Sequence, residues 1–194
     1  MEEATPTGLN ESAAGPETRP RSNALAAISW VRDLFLSVVI AIIVILFLYQ
    51  PVRVEGTSMQ PTLENEERIF INKFEYRFGL ADIGRGDMIV FWFPQDTSKS
   101  YIKRVIGVPG DTVEVRDGTV YVNGRPLAES YVAEQNRDHV SWPAERLESD
   151  KYFVLGDHRN SSNDSRSWGM VPRSYIYGKA VFAYWPIDRV GLLR

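Results

Sequence analysis

Apolar positions along this chain follow two regimes. From Leu34 to Tyr49 every residue except Ser37 is apolar, and Trp30-Val31 extend the run behind Arg32-Asp33. From Val52 onward the apolar residues come in short or alternating stretches: Arg68–Asn72, Met88–Phe93, Tyr101–Val108, Thr112–Val115, Thr119–Val122, Tyr152–Leu155 and Ala180–Tyr184. Turn signals separate them, among them Arg85-Gly86-Asp87, Pro109-Gly110-Asp111, Asp117-Gly118, Asn123-Gly124 and Gly156-Asp157. The first regime predicts one long apolar helix, and the second an antiparallel β domain built from hairpins and short connections. Thr112–Val122, folded about Asp117-Gly118, is the clearest hairpin. The polar stretch that follows, with Pro126 and Pro143, reads as a loop or minor subdomain, so that a small β subdomain or insertion is expected over about 112–150.

The uninterrupted run would be roughly 24 Å long as a helix, somewhat short of a ~30 Å hydrocarbon layer. Arg32 can snorkel, and Trp30 and Tyr49 are suitable interfacial rings, so a span over residues 28–50 is complete. A cleaved leader would carry small residues at its end, whereas Tyr49-Gln50-Pro51-Val52-Arg53 follows here; the segment is expected to be a permanent anchor. Residues 1–27 form the tail before it. Its first 24 residues are rich in Ala, Glu, Thr, Pro, Gly and Ser, too poor in large apolar groups to offset ordering entropy, and a disordered tail is expected. Arg19, Arg21 and Arg32 precede the apolar run that begins at Leu34, against Arg53 and Arg68 after it, a bias towards a cytoplasmic N-terminus. Residues 51–194 are left for one β domain.

Composition narrows the chemistry. A net charge of −3 offers nucleic acid no general attraction. Without cysteine there is no thiol nucleophile, disulfide or thiolate metal site, and with only His139 and His158 no multi-histidine zinc site; no metal or cofactor is expected.

Two short runs stand out. In Gly56-Thr57-Ser58-Met59-Gln60-Pro61-Thr62-Leu63, Ser58 sits in a turn-like setting. It either closes the turn or acts as a nucleophile once something takes its proton. In Tyr101 to Asp111, Lys103 lies on an otherwise apolar strand, where alternation puts Tyr101, Lys103 and Val105 on one face. A solvated lysine there would be unremarkable chemically; a desolvated one would lose its proton easily and become a competent base. A third segment, Gly156 to Gly169, is dense in hydroxyls, amides and paired charges. Ser162 could orient the amine, and Asp164 and Arg166 could lock the loop by ion pairing, although a solvated surface loop fits the same composition. His158 invites a Ser–His reading, but neither histidine has an obvious carboxylate to orient it.

Taken in order behind an apolar span, four blocks resemble bacterial type I signal peptidase, also called leader peptidase, a Ser-Lys dyad family. They are Ser58-Met59-x-Pro61-Thr62-Leu63, Arg85-Gly86-Asp87-Met88-Ile89-Val90-Phe91, Lys103-Arg104-Val105-Ile106-Gly107-x-Pro109-Gly110-Asp111, and Gly156-Asp157-x-Arg159 through Ser162-x-Asp164-Ser165-Arg166-x-Trp168-Gly169. The resemblance implies a mainly β fold, an antiparallel catalytic domain like that of signal peptidases and repressor-type peptidases, behind one transmembrane helix. It implies that Ser58 is the nucleophile, Lys103 the general base and Ser162 the group that orients the amine. Met59, Leu63, Tyr101 and Ile102 fall where the family lines shallow substrate pockets for small residues at the −1 and −3 positions. Arg104, Gly156, Asp157, Asp164 and Arg166 fit supporting roles. Gly56 stands where two-span relatives carry a serine that completes the oxyanion hole, so a backbone amide or water is expected to substitute. With the single anchor, this makes the chain similar to the single-span branch. His158 replaces an asparagine often found after Gly-Asp.

The activity so implied is a membrane-bound serine endopeptidase that cleaves signal peptides from exported preproteins. Its partners would be those peptides and membrane lipids, without nucleic acid, and the protein would be a monomer. It would sit in the bacterial plasma membrane with the N-terminus cytoplasmic and the catalytic domain on the outer face. Two other readings are a Ser-Lys peptidase that cleaves its own chain, and a tethered β domain that binds extended peptides without cutting.

Overall fold

The structure, a computed structural model, describes residues 23–74 and 82–193. The expected disordered tail lies outside the described residues as far as residue 22. The chain divides into two compact units after Ile42. Helix α1 spans Asn23–Leu48, through the first unit and into the start of the second, and its large side chains such as Trp30, Phe35 and Ile43 are exposed. The stretch Ala27–Ile45 is long and apolar enough to cross a membrane.

The helix stops two residues before the expected end of the span. Tyr49 and Gln50 instead open strand β1 (Tyr49–Arg53), paired antiparallel with β2 (Arg68–Asn72) from Tyr49↔Asn72 to Arg53↔Arg68. Pro51 accounts for the change, because it disfavours the helical conformation at the residue before it.

The second unit is mainly antiparallel sheet. The remaining strands in chain order are β3 (Met88–Phe93), β4 (Asp96–Gly107), β5 (Thr112–Arg116), β6 (Thr119–Val122), β7 (Arg125–Pro126), β8 (Trp142–Arg146), β9 (Lys151–Leu155), β10 (Val171–Pro172), β11 (Ile176–Trp185) and β12 (Gly191–Leu192). The larger sheet runs β1-β2-β11-β3-β4-β9-β10, with β12 on β11. The smaller sheet, β7-β6-β5-β8, is built entirely from strands within residues 112–146. The hairpin β5–β6 turns at Asp117 and Gly118, both at positive φ (46° and 76°), the conformation such tight turns demand.

β3 reads as an unbroken apolar run because both of its faces are covered. Met88 and Val90 join one core cluster with Met59, Leu63, Ile69 and Ile71, whereas Ile89 and Phe91 join another with Val105 and Val154. A third cluster, including Ile106, Val113, Val120 and Phe153, joins the two sheets. β4 lies between β3 and β9, and Lys103 faces Ile89 across the ladder. That register carries a lysine into the middle of the larger sheet.

Candidate active site

Ser58 lies in a turn between β1 and β2, Lys103 on β4, and Ser162 in the loop after β9. The fold brings the first two into contact: Lys103 Nζ is 2.7 Å from Ser58 Oγ. The amine also donates to the Ile102 carbonyl at 3.0 Å, and lies 5.5 Å from the centre of the Tyr101 ring. Lys103 is only 4% exposed. Burial lowers its pKa to about 8, while the carboxylates of Asp164 and Asp157 pull the other way. Their pull is blunted because each is bound to an arginine. About one molecule in ten therefore carries a neutral amine at pH 7, against about one in three thousand for a lysine at its ordinary value.

Ser162 departs from expectation. Its Oγ is buried and has no hydrogen-bond partner among the described residues, so the amine takes its orientation from the Ile102 carbonyl and Ser58. The hydroxyl is nevertheless tightly seated: a Cβ on Gly156 would come within 2.2 Å of Ser162 Oγ and 2.4 Å of the Ser58 carbonyl oxygen. Only glycine permits the loop to approach the Ser58 turn this closely.

The charged residues of the sequence motifs form a buried framework. Arg104 pairs with Asp157 through Nε to Oδ1 at 2.9 Å and Nη2 to Oδ2 at 2.7 Å, and its Nη1 donates to the Gly86 carbonyl. Thr62 donates its hydroxyl to Asp157 Oδ2 at 2.5 Å, tying the Ser58 segment to the same carboxylate. Asp164 accepts from Arg166 at both oxygens and from the Gly156 amide at 3.2 Å. Arg166 also pairs with Asp138.

Several members of this framework carry no sequence signal. Glu129 holds Arg159 in a bidentate, fully buried pair, and Tyr131 stacks on Arg104 with its ring centre 4.2 Å away. Asn136 donates to the Gln60 carbonyl at 3.0 Å; Arg189 donates to the Pro61 and Thr62 carbonyls and to Glu67. These partners lie far apart in the chain, and only the fold reveals them. His158 does not approach the Ser58 hydroxyl as a base would. Its Nδ1 is 3.1 Å from the Thr57 carbonyl.

A cavity of about 420 Å³ opens beside the pair. Tyr101 and Ile102 line it, together with Val52, Val54, Ile69, Val90 and Tyr177. Met59 and Leu63 do not. They are 1% and 0% exposed and pack into the core, because the turn after Ser58 directs them inward, where Leu63 N–H bonds the Met59 carbonyl.

Comparisons with known proteins identify the family. The family model described as "Signal peptidase, peptidase S26" matches residues 27–185. The chain is similar to signal peptidase I of Leptolyngbya laminosa, at 38% identity over 99% of this chain and 96% of that protein. It is likewise similar to signal peptidase I P of Bacillus subtilis subsp. natto, at 37% identity over 90% of this chain and 96% of that one. A crystal structure of a signal peptidase I from Enterococcus faecalis is 33% identical, covering 51% of this chain and 97% of its own, with a TM-score of 0.44. With the family match running from α1 to the end of β11, the chain belongs to the signal peptidase family, peptidase S26, and is a serine-type endopeptidase.

Proposed function

We propose that the chain removes signal peptides from exported preproteins with a Ser58–Lys103 dyad, working from a membrane anchor formed by α1. The observation that carries this reading is the 2.7 Å contact between Ser58 Oγ and an amine almost wholly withdrawn from water. In the reactive form the Ser58 hydroxyl donates to neutral Lys103 Nζ. As Oγ attacks the scissile carbonyl, the proton passes to Nζ, and the developing oxyanion faces the Ser58 backbone amide. The ammonium then returns that proton to the departing amine, leaving an acyl-enzyme. A second cycle through the same amine activates the water that cleaves the Ser58 ester and releases the signal peptide as a carboxylate.

The Ile102 carbonyl steadies the amine, and buried Ser162 lies against the turn that carries Ser58. We assign Arg104, Gly156, Asp157, Asp164 and Arg166 to positioning. We assign to the cavity, whose wall combines apolar side chains such as Val52, Val90 and Ile102 with polar ones such as Ser58, Ser100 and Lys103, the short residues at the −1 and −3 positions. The β unit works at the outer face of the bacterial plasma membrane, where the cleavage site of a preprotein emerges, with the N-terminus in the cytoplasm.

The test is cleavage of a purified preprotein by the full chain in detergent. Ser58→Ala and Lys103→Ala each lower kcat by at least about 10³-fold, as removal of a nucleophile or its base does. Cleavage retained by Lys103→Ala contradicts the dyad.

A further inference from the structure

We propose that His158 is a positioning residue for the oxyanion donor, acting through the peptide unit that joins Thr57 to Ser58. The Thr57 carbonyl and the Ser58 N–H are two ends of one planar group, so whatever fixes the first aims the second. A carbonyl only accepts, so the contact of 3.1 Å from His158 Nδ1 to Thr57 O places the proton on Nδ1. The Gln60 amide donates to the same oxygen at 3.0 Å, and the His158 amide donates to the Ser58 carbonyl at 3.0 Å. Carbonyls on both sides of the Ser58 N–H are therefore held, two of the three bonds coming from one residue.

The neighbouring groups leave this N–H with more to do. Gly56 has no hydroxyl, and its amide is already committed to Asn65 Oδ1 at 2.8 Å. Ser58 N–H makes no hydrogen bond among the described residues. Donation to the carbonyl end of a peptide also polarises its amide end and strengthens it as a donor. His158 thus both aims and strengthens the donor that meets the oxyanion, where Gly56 offers no hydroxyl beside it.

The inference rests on the Ser58–Lys103 reading, and the two fail separately. The experiment compares the full chain with His158→Phe, which keeps a ring but no donor, and His158→Asn, whose Nδ2 stands the same number of bonds from the backbone as Nδ1. Because the oxyanion exists only in the transition state, the donor deletion lowers kcat about tenfold and leaves KM within about twofold. His158→Asn restores kcat to within about threefold of the original, and His158→Phe does not. In parallel, the amide proton resonance of Ser58 shifts upfield in His158→Phe and returns in His158→Asn. Should His158→Phe not fold, His158→Ala removes the same donor without a ring to accommodate. A donor-deleted variant with unchanged kcat beside an inactive Ser58→Ala overturns this inference alone, as does an equal loss in His158→Phe and His158→Asn or an unmoved Ser58 resonance. Cleavage by Ser58→Ala overturns the reading beneath it.

Discussion

Lys103 is stabilised for chemistry at the expense of the fold. Its pKa is about 8 in the folded chain against an ordinary 10.5, so between those values the unfolded chain binds more protons than the folded one. Stability attributable to this group accordingly rises with pH across that window, and below about 8 the full cost of about 3 kcal/mol is present. Lys103→Met is therefore inactive yet more stable than the original at pH 7, and the difference shrinks as pH approaches 10.5; thermal or denaturant unfolding at several pH values measures it. A difference independent of pH would mean that the amine is not desolvated. Gly156 is a second residue whose role is steric. Gly156→Ala forces a methyl against Ser162 Oγ and the Ser58 carbonyl, and a displacement of the Ser58 turn by even 1 Å lowers kcat by about 10²-fold. Unchanged kcat would show that the turn absorbs the methyl elsewhere. Ser58 and Lys103 were legible as candidates before the fold was known, because a lysine amid apolar neighbours and a serine in a glycine-led turn are both chemically odd, and the resemblance paired them. The unbonded state of Ser162 was not, since whether a hydroxyl finds a partner depends on ångström-level packing of a loop.

The strands were read from their periodicity, and their number was underestimated for a physical reason. Arg68–Asn72, Met88–Phe93 and Thr119–Val122 stand at the boundaries expected. β1 was hidden because Tyr49 continues the apolar run of the helix, and β8 because Trp142–Arg146 is polar and mostly exposed on an edge of the smaller sheet. Met59 and Leu63 were expected at the substrate surface, but the turn sends them into the core. What joins the elements around the site is ionic. Arg104 reaches from β4 to Asp157 beyond β9, Arg159 to Glu129, and Arg166 to Asp138, so the loop after β9 is bolted to the larger sheet and to the insertion after β7. The motif half of each pair was visible in sequence; Glu129 and Asp138 are ordinary acidic residues of a polar stretch. Asp157→Ala leaves the Arg104 guanidinium buried beside an empty counter-charge and destabilises the fold by about 3–5 kcal/mol, with a matching fall in Tm. Replacement of the whole pair by apolar residues costs less than that single change. If Asp157→Ala unfolds at the original temperature, the pair holds nothing together.

As a whole, the molecule combines an apolar helix and a β unit whose buried amine sits beside an open cavity. The long apolar helix was legible from a run of apolar residues alone, because a bilayer-length span imposes its length and composition directly on sequence. The activity was legible from four short blocks, yet those blocks give no distances, and the chemistry depends on one distance and on the exclusion of water from one amine. The pH dependence of kcat/KM for preprotein cleavage by the full chain probes both together. A single ascending limb with its midpoint near pH 8, lost with the activity in Lys103→Ala, is the predicted result. A rate that stays level from pH 6 to pH 9, or that persists without Lys103, would contradict the assignment of the buried lysine as the base.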